Sequence, residues 1–266
     1  MPDTTPDELR FLSQADAIEA GAANMSGCVD QMERVFDLYD SDRVLMGGPE
    51  QFLHGHMTTF PGDLSADEAK TLRSGSRFGA MPAYVGGEID TVGVKWYGSV
   101  TLRVDETAPP RSPPLLVLSD PETGRPEVVM DGSIVSTMRT GAMAGLGALY
   151  LQGDRARSAS IIGPGQVGQA SVLGLDAALR SLDEIRLYHP DIECAEAVRD
   201  AIAGRVSTAL TATDSMKHAV RSADVTVAAA SRDPSPRIDP SWLPDDATVI
   251  QLGDLRVPLD AFDADR

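Results

Sequence analysis

The chain has 266 residues, 42% of them hydrophobic, and carries a formal net charge of −17 at pH 7. Its length exceeds the usual size of a single domain, so we expect two domains. The negative charge argues against a nucleic-acid groove or an anionic membrane surface as a partner, because both attract clustered cations. No apolar run approaches the roughly 20 residues that span a bilayer, and the N-terminus lacks the pattern of a signal peptide, so we expect a cytoplasmic protein.

The N-terminal half predicts two helices followed by a β-rich region. Ser13 and Asp16 indicate a helix cap before residues 15–23, and apolar side chains between residues 25 and 39 have helical spacing. Residues 46–76 are rich in Gly, Pro, His and Asp and predict a loop. Beyond it, short β-type runs separated by turn residues predict a mostly antiparallel sheet, with strands at 81–85, 91–97, 115–118 and 127–130.

The C-terminal half predicts one long helix and then alternating strands and helices. The long helix, residues 133–151, contains many small side chains, which let another backbone approach closely. The alternation after it is typical of a Rossmann-type doubly wound parallel sheet, so the predicted fold class is α/β. The predicted strands are 159–162, 184–189, 206–209, 224–230 and 248–252, with helices up to residue 182, at 192–203 and near 215–221.

A glycine-rich turn, Gly163-Pro164-Gly165-Gln166-Val167-Gly168, follows the first of these strands and precedes a helix. In a dinucleotide-binding unit, Gly163 allows the tight turn, Gly165 lets the backbone approach a pyrophosphate, and Gly168 lets helix and strand pack closely. The helix N-terminus then offers unpaired N–H groups to the phosphates. Glycine turns also end ordinary strands, but the strand before this one and the helix after it favour a dinucleotide site.

The end of the second strand leaves the choice between NAD and NADP open. An acidic side chain usually holds the ribose hydroxyls there. This chain has His189 at that position and Asp191 two residues later. His189 is a poor acceptor for the ribose diol, whereas Asp191 would repel a 2′-phosphate.

Three further side chains are candidates for chemistry, and each has a plain structural alternative. Lys95 is one of only three lysines. It lies in a predicted strand among glycines and aromatics, so it faces either a cavity or solvent. Arg139, on the small-residue helix, either pairs with a structural carboxylate or binds a ligand carboxylate through two hydrogen bonds. Asp254 follows a predicted parallel strand at the end where such sheets bind ligands, although Gly-Asp is also common in turns.

The sequence predicts no metal site. His54 and His56 form a His-Gly-His pattern, but no third ligand is evident. Cys28 and Cys194, the only cysteines, are far apart in the sequence and have no metal-like spacing. We therefore expect two reduced thiols.

Together these landmarks resemble the ornithine cyclodeaminase/mu-crystallin family. Residues 77–84 and 94–99 are further similar to the subgroup whose members are labelled as a subunit of tyramine oxidase. The pieces that match the family occur in its order over nearly the whole chain: Met81-Pro82-Ala83-Tyr84, Gly93-Val94-Lys95, the turn from Asp120 to Gly124, Met138-Arg139-Thr140, the glycine turn, and Gly253-Asp254.

The resemblance implies a nicotinamide cofactor, NAD or alternatively NADP, and a small amino or imino acid as substrate. The reaction would be hydride transfer at Cα, as in a cyclodeaminase, an amino acid dehydrogenase or a ketimine reductase. It also implies a homodimer. The expected domains are an α+β substrate-binding and dimerisation domain at 1–132, a joining helix at 133–153, and a dinucleotide-binding domain at 154–266.

The same resemblance implies roles for individual residues. Arg139 would clamp the substrate α-carboxylate, Lys95 would lie beside that carboxylate and the reacting carbon, and Met81 would also contact the substrate. Asp254 would be the acid/base that moves protons at the amine or the attacking water. The cofactor would contact the glycine turn together with Thr140, His189 and Asp191.

Two departures from the family pattern favour an alternative. A second substrate-pocket arginine, expected before the Met-Pro motif, has no evident counterpart, because that region holds His54 and His56. Family members also continue well beyond the Gly-Asp motif, whereas this chain ends at Arg266, so we expect a truncated form that lacks the return segment. The alternative is a non-catalytic NAD(P)-binding protein or an accessory subunit.

Overall fold

The computed structural model of the chain describes residues 8–48, 50–51, 55–59, 76–99, 112–230 and 235–258. They form two compact units. The first contains the described residues within 1–23 and 34–136, and the second contains residues 24–33 and the described residues within 137–266. Within the described ranges, no helix is both long enough and apolar enough to cross a membrane.

The first unit is built on a mixed sheet to which the described residues contribute seven strands. Every neighbouring pair is antiparallel except β1 with β7, and the order is β1-β7-β6-β5-β4-β2, with β3 also paired to β4. The strands are β1 (Arg10–Leu12), β2 (Val44–Met46), β3 (His56–Thr59), β4 (Arg77–Val85), β5 (Thr91–Ser99), β6 (Pro114–Ser119) and β7 (Pro126–Asp131).

The four predicted strands of this sheet are confirmed, with longer bounds. The prediction of a loop throughout 46–76 was wrong at two places among its described residues. β2 ends at Met46, and β3 occupies His56–Thr59. Both strands pair with β4, so long-range backbone hydrogen bonds override the local turn-forming composition.

The two N-terminal helices are also confirmed. Helix α1 (Gln14–Ala17) begins with a capping box, in which the Ser13 side chain accepts from the Asp16 N–H and the Asp16 carboxylate accepts from the Ser13 N–H. A π-helical turn, Ile18–Ala22, extends it. Helix α2 (Met25–Asp40) follows.

The second unit contains a parallel sheet with strand order β10-β9-β8-β11-β12 among its described residues. This is the order of a doubly wound dinucleotide-binding sheet, so the predicted fold class is confirmed. The strands are β8 (Ser158–Ile162), β9 (Glu184–Tyr188), β10 (Ala209–Thr213), β11 (Val225–Ala228) and β12 (Thr248–Gln251). The helices are α3 (Ser133–Gln152), α4 (Gln166–Ala178), α5 (Ile192–Ile202) and α6 (Met216–Val220), and 3₁₀ turns occupy Gly153–Arg155, Ala203–Arg205 and Pro240–Trp242.

The position predicted for the third strand of this sheet, 206–209, was wrong. The strand is β10, which begins at Ala209. The backbone N–H groups of Ser207 and Thr208 donate instead to Asp176 Oδ1 in α4, at 3.0 and 2.9 Å. This carboxylate holds the residues before β10 away from the strand ladder.

The core of the second unit lies between its sheet and its helices. Side chains of β8, β9 and β11 and of α4 are fully buried there, among them Ile161, Leu175, Leu187 and Val225. The small residues of α3 allow very close packing on α4. A side chain at Gly141 would collide with the Ala170 carbonyl, which explains why this position is a glycine.

Candidate dinucleotide and substrate site

The glycine turn joins β8 to α4 as predicted. Gly163 has a φ of +85°, a conformation that favours glycine, and its N–H donates to the Tyr188 carbonyl at 3.1 Å. A Cβ at Gly163 would lie 2.8 Å from the Ala230 Cα, and a Cβ at Gly168 would lie 2.5 Å from the Gly163 carbonyl oxygen. Two glycines of the pattern are therefore required by the packing of the turn itself.

Gly165 differs from the other two, because a Cβ there would meet no atom of the described residues within 4 Å, apart from its chain neighbours. Gly165 is the N-cap of α4 and has no side chain that could accept from the N–H groups of the first turn. Gln169 Nε2 donates to the Pro164 carbonyl at 3.3 Å, and this hydrogen bond joins the turn to the first turn of α4. Open space beside Gly165 and uncapped N–H groups fit the pyrophosphate of a dinucleotide.

The carboxyl ends of β8, β11 and β12 are joined by backbone hydrogen bonds next to the turn. The Ala229 N–H donates to the Ile162 carbonyl at 2.9 Å, and the Asp254 N–H donates to the Ala230 carbonyl at 2.7 Å. A Cβ at Gly253 would collide with the same Ala230 carbonyl. Ala230, which the sequence did not single out, thus connects Asp254 to the glycine turn.

The Asp254 side chain itself is exposed. Its carboxylate forms no hydrogen bond or ion pair with any residue in the described ranges. An open carboxylate at the carboxyl end of a parallel strand can accept or donate a proton at a ligand.

His189 and Asp191 lie at the end of β9. The His189 N–H donates to the Thr213 carbonyl at 3.2 Å, which ties the strand end to β10. Asp191 is the N-cap of α5, and its side chain accepts from the Glu193 N–H at 3.0 Å. The two candidate ribose ligands are therefore adjacent, and one of them also caps a helix.

Arg139 and Thr140 lie in the middle of α3. The Arg139 guanidinium is half-buried, and Nη1 contacts the Met143 sulfur at 3.7 Å. Burial lowers the pKa of Arg139, and the Cys28 thiol of α2 acts in the opposite direction. The described residues include no carboxylate partner for Arg139. The alternative of a structural ion pair thus finds no support in this part of the chain.

Lys95 and Met81 lie in the sheet of the first unit. They are directly opposite one another on β5 and β4, so their side chains share a face. Lys95 Nζ lies 4.8 Å from the centre of the Tyr97 ring, within the range of a cation–π contact. The predicted neighbourhood of a lysine and an aromatic on one face of the strand is present.

The structure thus brings two sets of predicted residues together, one in each unit. Met81 lies beside Lys95 in the first unit, and Asp254 lies beside the glycine turn in the second. His54 lies outside the described residues, and His56 begins β3. No cluster of potential metal ligands occurs within the described part of the chain.

Residues 10–256 match the model of the ornithine cyclodeaminase/mu-crystallin family. N-((2S)-2-amino-2-carboxyethyl)-L-glutamate dehydrogenase of Staphylococcus aureus is 29% identical over 184 residues, which make up 69% of this chain and 54% of that protein. Alanine dehydrogenase of Archaeoglobus fulgidus is 34% identical over 111 residues, or 41% of this chain and 32% of that protein. The matched segments span about half or less of these curated relatives.

Solved structures resemble the chain over most of its length. Thermococcus litoralis Delta(1)-pyrroline-2-carboxylate reductase, in complex with NADH and L-proline, has a TM-score of 0.74 at 18% identity and covers 91% of this chain and 68% of its own. A dimeric archaeal alanine dehydrogenase with bound NAD has a TM-score of 0.72 at 23% identity and covers 91% and 66%. These likenesses show a shared fold. Because the family model covers nearly the whole sequence, the chain belongs to the ornithine cyclodeaminase/mu-crystallin family.

Proposed function

We propose that the protein is an NAD(H)-dependent enzyme that transfers hydride at the Cα of a small amino or imino acid. The observation that carries this proposal is the short connection from the glycine turn through Ala230 to the open carboxylate of Asp254. The names of the related proteins, dehydrogenases and reductases of amino and imino acids, support the same class of reaction. Within that class, cyclodeaminase, dehydrogenase and reductase activities remain the options.

The cofactor would be held mainly by the second unit. Open space at Gly165 and the first-turn N–H groups of α4 fit the pyrophosphate, Thr140 and His189 complete the proposed contacts, and Asp191 lies next to His189. NAD(H) is the cofactor bound in several structural neighbours. When bound, it supplies the hydride acceptor or donor, a chemistry that no side chain provides.

Asp254 is the proposed acid/base. Its carboxylate has no partner among the described residues, so it is available to take a proton from the substrate amine or to return one to an imine nitrogen. Its backbone is fixed by the hydrogen bond to Ala230, which limits the volume that the carboxylate can sample. A carboxylate held in this way suits repeated proton transfer at one atom.

Arg139, Lys95 and Met81 are the proposed substrate ligands. A guanidinium without a carboxylate partner in the described residues can form two parallel hydrogen bonds to an α-carboxylate. Lys95 adds a second positive charge, and the thioether of Met81 beside it offers an apolar contact for the substrate side chain. Each of the two cations suits the α-carboxylate of a small amino or imino acid.

We further propose that the protein is a homodimer that associates through one face of the first unit's sheet. Cross-strand pairing puts five large apolar side chains on that face, and each is at least 38% exposed. A sheet face with several exposed large apolar side chains is typical of a protein interface. The five are Phe11, Leu45, Val92, Trp96 and Leu115.

We also propose a division of the whole protein into functional regions. The domain roles are substrate binding and dimerisation for 1–132, a joining helix at 133–153, and dinucleotide binding for 154–266. Residues 77–84 and 94–99 support the resemblance to the subgroup labelled as a subunit of tyramine oxidase. A cytoplasmic location is part of the same proposal.

A substrate screen tests the activity. The purified protein is mixed with NADH or NADPH and cyclic ketimines, and with NAD or NADP and ornithine, lysine or alanine. The expected result is a substrate-dependent change in the near-ultraviolet absorbance of the reduced nicotinamide, or ammonia release for a cyclodeaminase. Cofactor binding with no turnover on any substrate would contradict an enzyme and favour the rival, a non-catalytic NAD(P)-binding protein or accessory subunit.

A further inference from the structure

The end of β9 differs from the usual ribose-binding position of a dinucleotide site. There, one carboxylate usually accepts hydrogen bonds from both hydroxyls of the adenosine ribose. In this chain the strand ends at Tyr188 and the next residue is His189, which can offer one acceptor or one donor at each ring nitrogen. The nearest carboxylate in sequence is that of Asp191.

The Asp191 carboxylate is already engaged at the start of α5. Oδ1 accepts from the Glu193 N–H at 3.0 Å, and Oδ2 accepts from the Cys194 thiol at 3.4 Å. An N-cap of this kind satisfies a first-turn N–H that has no partner within the helix. Rotating the carboxylate toward a ribose would remove the cap, so Asp191 is a poor candidate for the diol ligand.

Backbone hydrogen bonding favours one tautomer of His189. Nδ1 lies 3.1 Å from both the N–H and the carbonyl oxygen of Asp191. The carbonyl already accepts from the Ala195 N–H at 3.4 Å, whereas Nδ1 is the acceptor available to the Asp191 N–H among the described residues. A backbone N–H can only donate, so Nδ1 supplies a lone pair and the neutral ring carries its proton on Nε2.

The Nε2–H group is an open donor. It forms no hydrogen bond to any residue of the described ranges, and the imidazole is only half-buried. A single N–H donor can bond the oxygen of a ribose 2′-hydroxyl and can equally bond a phosphate oxygen. Unlike a carboxylate, it does not by itself reject a 2′-phosphate.

Three carboxylates follow the ends of β9 and β10. Asp191 and Glu193 lie at the start of α5, and Asp214 follows β10 directly after Thr213, the backbone partner of His189. Burial raises the pKa of Tyr188, and the Asp214 carboxylate adds to this effect. These charges would repel a 2′-phosphate.

We propose that His189 binds the adenosine ribose through Nε2–H, and that Asp191 selects NAD(H) over NADP(H) by charge alone, without bonding the ribose. This assignment rests on the proposed dinucleotide site. It separates two functions, ribose binding and phosphate rejection, that a single carboxylate usually performs together. The two functions can therefore be removed one at a time.

The test measures the dissociation constants of NADH and NADPH by fluorescence titration for three variants. His189→Ala should raise the dissociation constants of NADH and NADPH by the same factor, about 3- to 10-fold, which is the loss expected for one hydrogen bond. His189→Gln, whose amide N–H can replace the donor, should recover part of that loss. Asp191→Asn, which keeps an N-cap side chain, should leave NADH within about twofold and tighten NADPH several-fold.

Salt provides a second readout on the wild-type protein. Because the proposed selection acts by charge, the ratio of the NADPH dissociation constant to the NADH dissociation constant should fall as ionic strength rises. A loss of NADH affinity beyond tenfold in Asp191→Asn, with unchanged binding in His189→Ala, would overturn the assignment and make Asp191 the ribose ligand. Wild-type protein that binds neither nucleotide would overturn the dinucleotide site itself and this assignment with it. Melting temperatures of all variants show whether each one is folded.

Discussion

The Asp254 backbone N–H donates to the Ala230 carbonyl oxygen at 2.7 Å, and Ala230 packs directly against Gly163. The proposed acid/base and the proposed phosphate-binding turn are therefore separated by a single residue across three adjacent strands. Such a connection limits how far the carboxylate can move relative to the turn. It gives the catalytic proposal a geometric basis within one compact unit.

The first prediction concerns Asp254→Asn. The amide keeps the size of the side chain and leaves the backbone hydrogen bond to Ala230 intact, so folding and NADH affinity should stay unchanged. The amide cannot take a proton, so turnover should fall about a hundredfold or more. Steady-state kinetics on the substrate found in the screen, together with an NADH titration, check both parts. Unchanged turnover would remove Asp254 from the mechanism.

A second prediction follows from the half-buried guanidinium of Arg139. Arg139→Met replaces a partly desolvated charge with an apolar side chain of similar length, next to the sulfur of Met143. The unfolding free energy of the ligand-free protein should rise by about 1 kcal/mol. Substrate affinity should fall at the same time, because the substrate α-carboxylate would lose the two hydrogen bonds proposed to the Arg139 guanidinium.

Chemical denaturation and substrate titration of the same variant separate the two readings of Arg139. Gained stability with lost substrate binding supports the ligand role. A loss of more than about 1 kcal/mol of stability would mean that Arg139 is a partner in a structural ion pair, since breaking such a pair leaves an uncompensated charge.

Trp96 and Phe36 provide a matched pair for the dimer. Both side chains are 49% exposed in the first unit, but only Trp96 lies on the apolar sheet face, whereas Phe36 is in α2. Trp96→Glu should convert a dimer into monomers, because a carboxylate at the centre of an apolar interface is costly to desolvate. Phe36→Glu should leave the dimer intact. Sedimentation velocity distinguishes the species, and equal dissociation of both variants would place the interface elsewhere.

The two cysteines should react at different rates. Cys194 is exposed, whereas burial raises the pKa of the half-buried Cys28, an effect that Arg139 partly offsets. Iodoacetamide should label the exposed Cys194 first, and because the thiolate is the reactive form, labelling of Cys28 should need a higher pH than a free thiol does. Labelling of Cys28 should slow further in Arg139→Met. Peptide mass spectrometry measures both rates, and faster labelling of Cys28 than of Cys194 would contradict the burial of this thiol.

Local patterns predicted the elements whose signal is contained in their own residues. The capping residues Ser13 and Asp16, the helical spacing of α2 and the glycine turn all have short-range causes. β2 and β3 were missed because their stability comes from pairing with β4, a distant partner. The start of β10 was misplaced because one carboxylate, Asp176, holds the two residues before it, and no sequence pattern reveals that contact.

For the candidate site, the sequence identified the residue types but not their partners. Lys95 and Arg139 each had a structural alternative that only the surroundings could test. Ala230 was missed because an alanine carries no chemical signal; its role comes from its backbone and its small size between Gly163 and Gly253. The capping role of Asp191 is the reason that ribose binding is assigned to His189. This role likewise depends on where α5 begins.

The central claim is that residues 163–168 bind a dinucleotide, and Gly165→Ala tests it most directly. A methyl group at Gly165 would meet no atom of the described residues within 4 Å other than its chain neighbours, so the melting temperature should not change. The same methyl group would occupy the space proposed for the pyrophosphate. Gly163→Ala is the contrasting variant, since its positive φ and its contact with Ala230 should cost about 1–3 kcal/mol of stability.

The decisive measurement is therefore an NADH titration of wild-type protein and Gly165→Ala, followed by fluorescence, with melting temperatures recorded in parallel. We expect saturable binding to the wild type and at least a tenfold loss of affinity in a variant that melts at the wild-type temperature. Equal NADH affinity in the two proteins, or no binding to the wild type, would contradict a dinucleotide site at this turn.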